Sequence, residues 1–273
     1  MSLLASEQRE RFIAAPDGHK LFLSERASGG DRLPVLFLNS LAADLTMWEG
    51  VRDRLDRPTT AFDMRGHGRS DVIPGDADLK GLADDALAVM DAAGLDRAVL
   101  CGLSLGGLTA MYLAELVPDR IAGLVLANTA VNFPPAQMWR DRAAMARRGA
   151  FEELVQPTLE RWLTQSYRDT EPDAAESVRR MIGTMSPEGY AAACAVLATA
   201  DVTNALRGFN GPVLAIAGRY DQSTPVARAE EIVDLAQDGE LLILEAAHVT
   251  AIERAAEFAA ALESFSERIE RYG

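Results

Sequence analysis

Six short apolar runs recur along the chain, and what separates them reads as helix. They are "PVLFL" (34–38), "TTAFDM" (59–64), "RAVLCGL" (97–103), "IAGLVLAN" (121–128), "GPVLAIAG" (211–218) and "ELLILEA" (240–246). Continuous apolar runs of this length, without polar alternation, belong to strands covered on both faces, which is the environment of a parallel sheet. Parallel neighbours need crossover connections, usually helical. The intervening segments supply them: "LTMWEGVRDRL", residues 79–93 ended by Gly94, Ser104–Val117 ahead of Pro118, 225–237, and a closing helix over 250–266. Ahead of all these, "RFIAA", "PDG" and "KLFLSERA" spell a hairpin around a Pro-Asp-Gly turn. The pattern predicts an α/β fold: a mostly parallel eight-stranded sheet with helices on both faces and its first two strands antiparallel at one edge.

Residues 132–204 break this rhythm. They are helical throughout, carry no convincing strand, and hold Phe133, Trp139, Trp162, Tyr167 and Tyr190 with many Met and Arg residues. The segment is expected to be a helical cap inserted into a core made of residues 1–131 and 205–273.

The 273 residues carry a formal charge of −14. That argues against a nucleic-acid partner, because phosphate binding needs clustered cations. Two cysteines, Cys101 and Cys194, give neither a disulfide framework nor a metal-ligand spacing. Cys101 lies in an apolar run, as a buried small side chain would. Neither a leader peptide nor a membrane span is read in the chain, so the expectation is a cytoplasmic protein with no membrane partner. Assembly into a homo-oligomer is left open.

Gly102-Leu103-Ser104-Leu105-Gly106 is a G-x-S-x-G pentapeptide. By chance it arises in roughly one chain in ten of this length, so the pattern alone decides nothing. Its context does more. Ser104 falls between a strand and a helix, where a sharp turn lifts a hydroxyl above the sheet and the helix start supplies free N–H groups. Gly102 and Gly106 leave room for so tight a turn.

A serine nucleophile needs a base, and three histidines are available. His19 lies in the hairpin turn and is expected at the surface. His67, in "DMRGHGRSD", can reach the mouth of a site. His248 follows the last strand, on the edge of the sheet where ligands bind. Asp221 follows the preceding strand, giving the order Ser104, Asp221, His248 that suits nucleophile, orienting acid and base. Asp63 is the rival carboxylate, but it is better placed to bond backbone or Arg65. Asp201 precedes its strand and lies at the wrong end. Backbone N–H groups of Leu41 and Leu105 are the candidate oxyanion donors, with Asn39 and Ser40 orienting that loop or touching substrate. This constellation is one for acyl transfer, and it calls for no metal and no cofactor. Trp139 and Arg142, three apart on a helix, share a face and are candidates for an apolar wall and an anion fork over Ser104.

At this point the chain resembles the α/β-hydrolase superfamily and, more narrowly, the 3-oxoadipate enol-lactonases. The segments that carry the resemblance include "LNSLAADLTMW", "FDMRGHGRSD", "CGLSLGGLTAMYLA", "LANTA", "RWLT", "SPEGYAAACAVLATAD" and "EAAHVTAIERAAEF". It implies a ring-opening lactonase of aromatic-compound degradation, acting on a small enol-lactone that bears a free carboxylate, with Ser104, Asp221 and His248 as triad. The chain departs from the family at Val131-Asn132-Phe133, where an Ala-Arg-Ile-like sequence is implied, so an arginine near the cap entrance is missing. Alternatives on the same fold are a general carboxylesterase or lactonase, a C–C bond hydrolase and a perhydrolase. A non-catalytic binding protein is the alternative from another class.

Overall fold

The structure is a computed structural model that describes residues 8–28 and 31–272. Its strands are β1 (Gln8–Ala14), β2 (Lys20–Arg26), β3 (Val35–Leu38), β4 (Thr59–Phe62), β5 (Ala98–Leu103), β6 (Ile121–Ala127), β7 (Pro212–Gly218) and β8 (Asp238–Leu244). They form one eight-stranded sheet in the order β1-β2-β4-β3-β5-β6-β7-β8. β2 runs antiparallel to both β1 and β4, and the other neighbours pair in parallel. Every residue of β3, β4, β5 and β6 is buried, as their unbroken apolar sequences require. The strand order reverses between β3 and β5, which places a ligand crevice beyond their carboxyl ends.

The helices are α1 (Glu49–Arg52), α2 (Leu79–Ala92), α3 (Leu105–Leu116), α4 (Ala136–Met145), α5 (Glu152–Trp162), α6 (Gln165–Thr170), α7 (Pro172–Gly183), α8 (Pro187–Thr199), α9 (Thr203–Gly208), α10 (Val226–Leu235), α11 (Thr250–Glu253) and α12 (Ala255–Tyr272). The Asp78 carboxylate caps the start of α2 by accepting the Gly81 N–H at 2.7 Å. The stretch predicted as one helix from Leu45 forms a 3-10 turn, Leu45–Trp48, followed by a single α turn. The predicted closing helix is broken at Arg254 (φ −132°, ψ 44°) and runs past residue 266 to Tyr272. The extension packs: a Cβ on Gly123 would run into Ile269 and Phe265, so α12 lies directly on β6 at a glycine. Trp48 anchors the same layer, its ring 4.7 Å from Phe37 and 5.9 Å from Phe258.

Helices α4 to α8 lie between β6 and β7 in the chain. Asn132 and Asp201 form an isolated antiparallel bridge, so this segment leaves and rejoins the sheet layer at one place. His19 is not at the surface. It is buried, bonded to Asp17 and 3.4 Å from Asp85, which Arg65 also holds. The hairpin turn folds down onto α2, a contact that a polar turn sequence does not announce.

Candidate active site

Ser104 occupies the junction of β5 and α3 with φ 55° and ψ −112°, a left-handed conformation that a non-glycine residue holds at a cost. The surroundings fix it. Ser104 N–H donates to the Ala127 carbonyl at 3.0 Å, and the Thr129 hydroxyl donates to the Ser104 carbonyl at 2.7 Å. A Cβ on Gly102 would overlap the Gly106 carbonyl, and one on Gly106 would overlap the Leu38 carbonyl. The two glycines therefore let β5, α3 and the end of β3 close on one another.

Asp221 and His248 follow β7 and β8. Asp221 Oδ2 lies 2.8 Å from His248 Nδ1 and accepts from the Thr224 hydroxyl at 2.6 Å and from Asn128 Nδ2 at 3.0 Å. Its other oxygen accepts the N–H groups of Ser223 and Thr224 at 2.7 and 3.0 Å. Burial alone would raise this carboxyl, but the facing His248 and the hydrogen bonds outweigh it and hold the pKa at about 2. An ionised carboxylate only accepts, so Nδ1 carries the proton and Nε2 presents a lone pair.

Ser104 and His248 both line a cavity of about 270 Å³ beyond the strand ends, as do Ser40 and Leu41. The N–H groups of Leu41 and Leu105 have no hydrogen-bond partner among the described residues. Asn39 is not among the residues lining the cavity, so of its two expected roles the structure favours orienting the loop over touching substrate. Its side chain is fully buried, donating to the Phe62 carbonyl and accepting from the Trp48 indole, both at 2.9 Å. It thus holds the loop that presents Leu41. His67 also stays away from the cavity: it is buried and bonded to the Arg65 carbonyl. Asp63 accepts the N–H groups of Leu45 and Arg69 and belongs to the same turn. Asp201 accepts from Thr203 and Asn132, away from Asp221.

The far wall comes from α4, α5 and α8. Trp139 and Arg142 line it together, with the guanidinium carbon 4.9 Å from the indole centroid. Arg161, Trp162 and Tyr190 also line it. Sequence reasoning missed Arg161, Asn128 and Thr224. Arg161 stood in view only as part of "RWLT" and Asn128 only as part of "LANTA". Arg161 donates to the Thr158 hydroxyl, and no carboxylate pairs with it or with Arg142 among the described residues. Burial and the neighbouring Arg142 both push the Arg161 pKa down. Two guanidinium groups without a carboxylate within ion-pair distance thus face one cavity, the chemistry that suits an anion. No cluster of three metal-ligating side chains occurs among the described residues.

The fold and site define a hydrolase of carboxylic esters or lactones. The chain belongs to the α/β-hydrolase family: the profile of the alpha/beta hydrolase fold matches residues 34–255. It is 34% identical over 242 residues to 3-oxoadipate enol-lactonase 2 of Acinetobacter baylyi, covering 87% of this chain and 90% of that one. Among solved structures it is similar to the enol-lactonase from Burkholderia xenovorans, at 31% identity and TM-score 0.90, over 93% of this chain and 99% of that one. It is also similar to a thermophilic esterase from Thermogutta terrifontis with malate bound, at 29% identity and TM-score 0.89, over 96% and 99% of the two chains. No helix among the described residues is long and apolar enough to cross a membrane.

Proposed function

We propose that the protein opens a small enol-lactone bearing a free carboxylate, with Ser104 as nucleophile, His248 as base and Asp221 as the acid that orients it. One observation carries the reading: Ser104 and His248 share their cavity with two arginines that lack carboxylate partners. In this reading residues 132–204 are the cap, and they supply the substrate's acid site through Arg142 and Arg161, with Trp139 as the apolar wall. These arginines stand in for the one absent at Val131-Asn132-Phe133. Similarity to two enol-lactonases supports the substrate class.

Ser104 Oγ attacks the lactone carbonyl while His248 Nε2 takes its proton. The oxyanion lies on the N–H groups of Leu41 and Leu105; each such donor lowers the barrier by about 3 kcal/mol. Collapse breaks the ring C–O bond, and the enolate oxygen leaves, to end as a ketone after protonation from His248. Water, deprotonated by His248, then releases the acid and restores Ser104. Asp221 stays ionised throughout and stabilises the imidazolium.

The test is a spectroscopic assay of enol-lactone loss beside neutral lactones and chromogenic esters. The acidic enol-lactone should give the highest kcat/KM, and Ser104→Ala should abolish turnover of every substrate. A neutral ester turned over best would replace the lactonase reading with that of a carboxylesterase, which the similarity to the malate-bound esterase favours. Activity surviving in Ser104→Ala would overturn the nucleophile.

A further inference from the structure

Both chain neighbours of His248 are tied to the segment that joins α5 to α6. On one side, Ala247 N–H donates to Glu253 Oε1 at 2.7 Å. On the other, Val249 N–H donates to the Trp162 carbonyl at 3.2 Å. Glu253 also accepts from Thr164, whose N–H reaches Oε1 at 3.2 Å and whose hydroxyl reaches Oε2 at 2.7 Å. Glu253 is only 7% exposed, and no Lys, Arg or His pairs with it among the described residues. A buried carboxylate without a counter-ion is costly, and here it is satisfied by three donors from two separate segments. Thr164 is in turn the cap of α6, accepting the Tyr167 N–H at 3.2 Å.

We propose that Glu253 is a positioning residue for His248, clamping the base's loop to residues 162–164. This rests on reading His248 as the base. The clamp has a consequence for the cavity wall. Arg161 and Trp162 line the cavity at the start of the clamped stretch, and the Trp162 ring centroid lies 6.4 Å from that of His248. The wall that receives the substrate's acid and the base that serves Ser104 are thereby held as one unit. A segment free to shift would carry both out of register, and a misplacement of about 1 Å lowers a rate by on the order of a hundredfold.

The test compares Glu253→Ala with Glu253→Gln, counting active sites with a fluorophosphonate reagent and checking folding by thermal melting. In Glu253→Ala, kcat per active site should fall on the order of a hundredfold. The acid limb of its kcat/KM profile should also move, because the base sits differently against Asp221. Glu253→Gln keeps an acceptor for the Ala247 and Thr164 N–H groups, and its amide can donate to the Thr164 hydroxyl. It should restore both kcat and the acid limb to near wild type. A folded Glu253→Ala with wild-type kcat per site and an unmoved acid limb overturns the proposal, and so does a Gln variant closer to Ala than to wild type. If Glu253→Ala does not fold, Thr164→Val decides: it removes the hydroxyl donor to Glu253 and the cap of α6 but leaves Glu253 in place, and a wild-type kcat per site in it overturns the clamp. Ser104→Ala separates the two levels, since activity surviving there overturns the catalytic reading itself, whereas its loss beside an unaffected Glu253→Ala overturns only the clamp.

Discussion

Asn128 Nδ2 donates to Asp221 Oδ2 at 3.0 Å, joining the end of β6 to the carboxylate that faces His248 Nδ1. The same amide reaches the Ala247 carbonyl at 3.1 Å, and its oxygen accepts the Thr250 hydroxyl at 2.6 Å. Asn128 has φ 43°, a left-handed conformation that asparagine tolerates better than most residues. One side chain therefore fixes both Asp221 and the loop that carries His248. A hydrogen bond to a charged group contributes about 1.5–3 kcal/mol, so Asn128→Ala should lower kcat about tenfold or more. Steady-state kinetics on a chromogenic ester check this, with KM expected to change little. An unchanged kcat would mean that Thr224 and the backbone donors suffice to hold Asp221.

The glycines of the Ser104 turn lead to a stability prediction. A Cβ on Gly106 would overlap the Leu38 and Asn39 carbonyls, which are backbone and cannot turn aside. Gly106→Ala should therefore destabilise the fold by about 4 kcal/mol or more, the range of severe core defects. Gly149 is the contrast: it has a left-handed φ, which Gly106 does not, but open space surrounds its Cβ position. Gly149→Ala should be much milder, about 1 kcal/mol. Urea titrations of the two variants make the comparison, and equal losses would show that the backbone overlap is relieved by movement.

The sheet was legible because strands buried on both faces spell themselves as apolar runs, and β3 to β6 are buried at every position. Ser104, Asp221 and His248 could be singled out as candidates because each follows a strand that could be read. The supporting residues were hidden for one reason: their partners are distant in the chain. Asn128 and Asp221 are 93 residues apart, and Thr164 and Glu253 are 89 apart. No local periodicity reports such a pair. Asn39 was ambiguous because a loop asparagine reads alike whether it faces substrate or, as here, an indole and a carbonyl. Arg161 was overlooked because many arginines lie in 132–204, and only the structure separates it from Arg147, which pairs with Glu188 and Asp76.

The two cavity arginines should separate binding from chemistry. Loss of a charge-assisted contact worth about 1.5–3 kcal/mol raises KM for a carboxylate-bearing lactone about tenfold or more. Arg161→Ala and Arg142→Ala should each show this, while KM for a neutral ester stays near wild type. Arg161→Lys should recover little, because an ammonium lacks the planar fork that meets a carboxylate on two bonds. Steady-state kinetics on the two substrate types read out the difference. Equal effects on both substrates would sink the anion-site assignment.

Stability should respond to acid through two groups in the "DMRGHG" turn that titrate in opposite senses. Burial pushes His67 down to about 4 from an ordinary 6.5, so between those values the unfolded chain binds the proton and the folded one does not. Through His67, stability is fully present above pH 6.5 and falls as the pH drops toward 4. Burial raises Asp63 from 3.8 to about 6, against the hydrogen bonds from Arg69 and Leu45. Between those values the folded chain binds the extra proton, so through Asp63 stability rises as the pH drops from 6 toward 3.8. Each effect is on the order of 3 kcal/mol, and over pH 6 to 4 they largely cancel. Asp221, held at about 2, contributes stability that is lost only below this window. In His67→Gln the Asp63 effect stands unopposed. The variant should be less stable than wild type at pH 7, and its deficit should shrink by on the order of 3 kcal/mol by pH 4. Urea unfolding at pH 7, 6, 5 and 4 measures the difference, and a deficit constant across that range would show that His67 does not stay neutral in the fold.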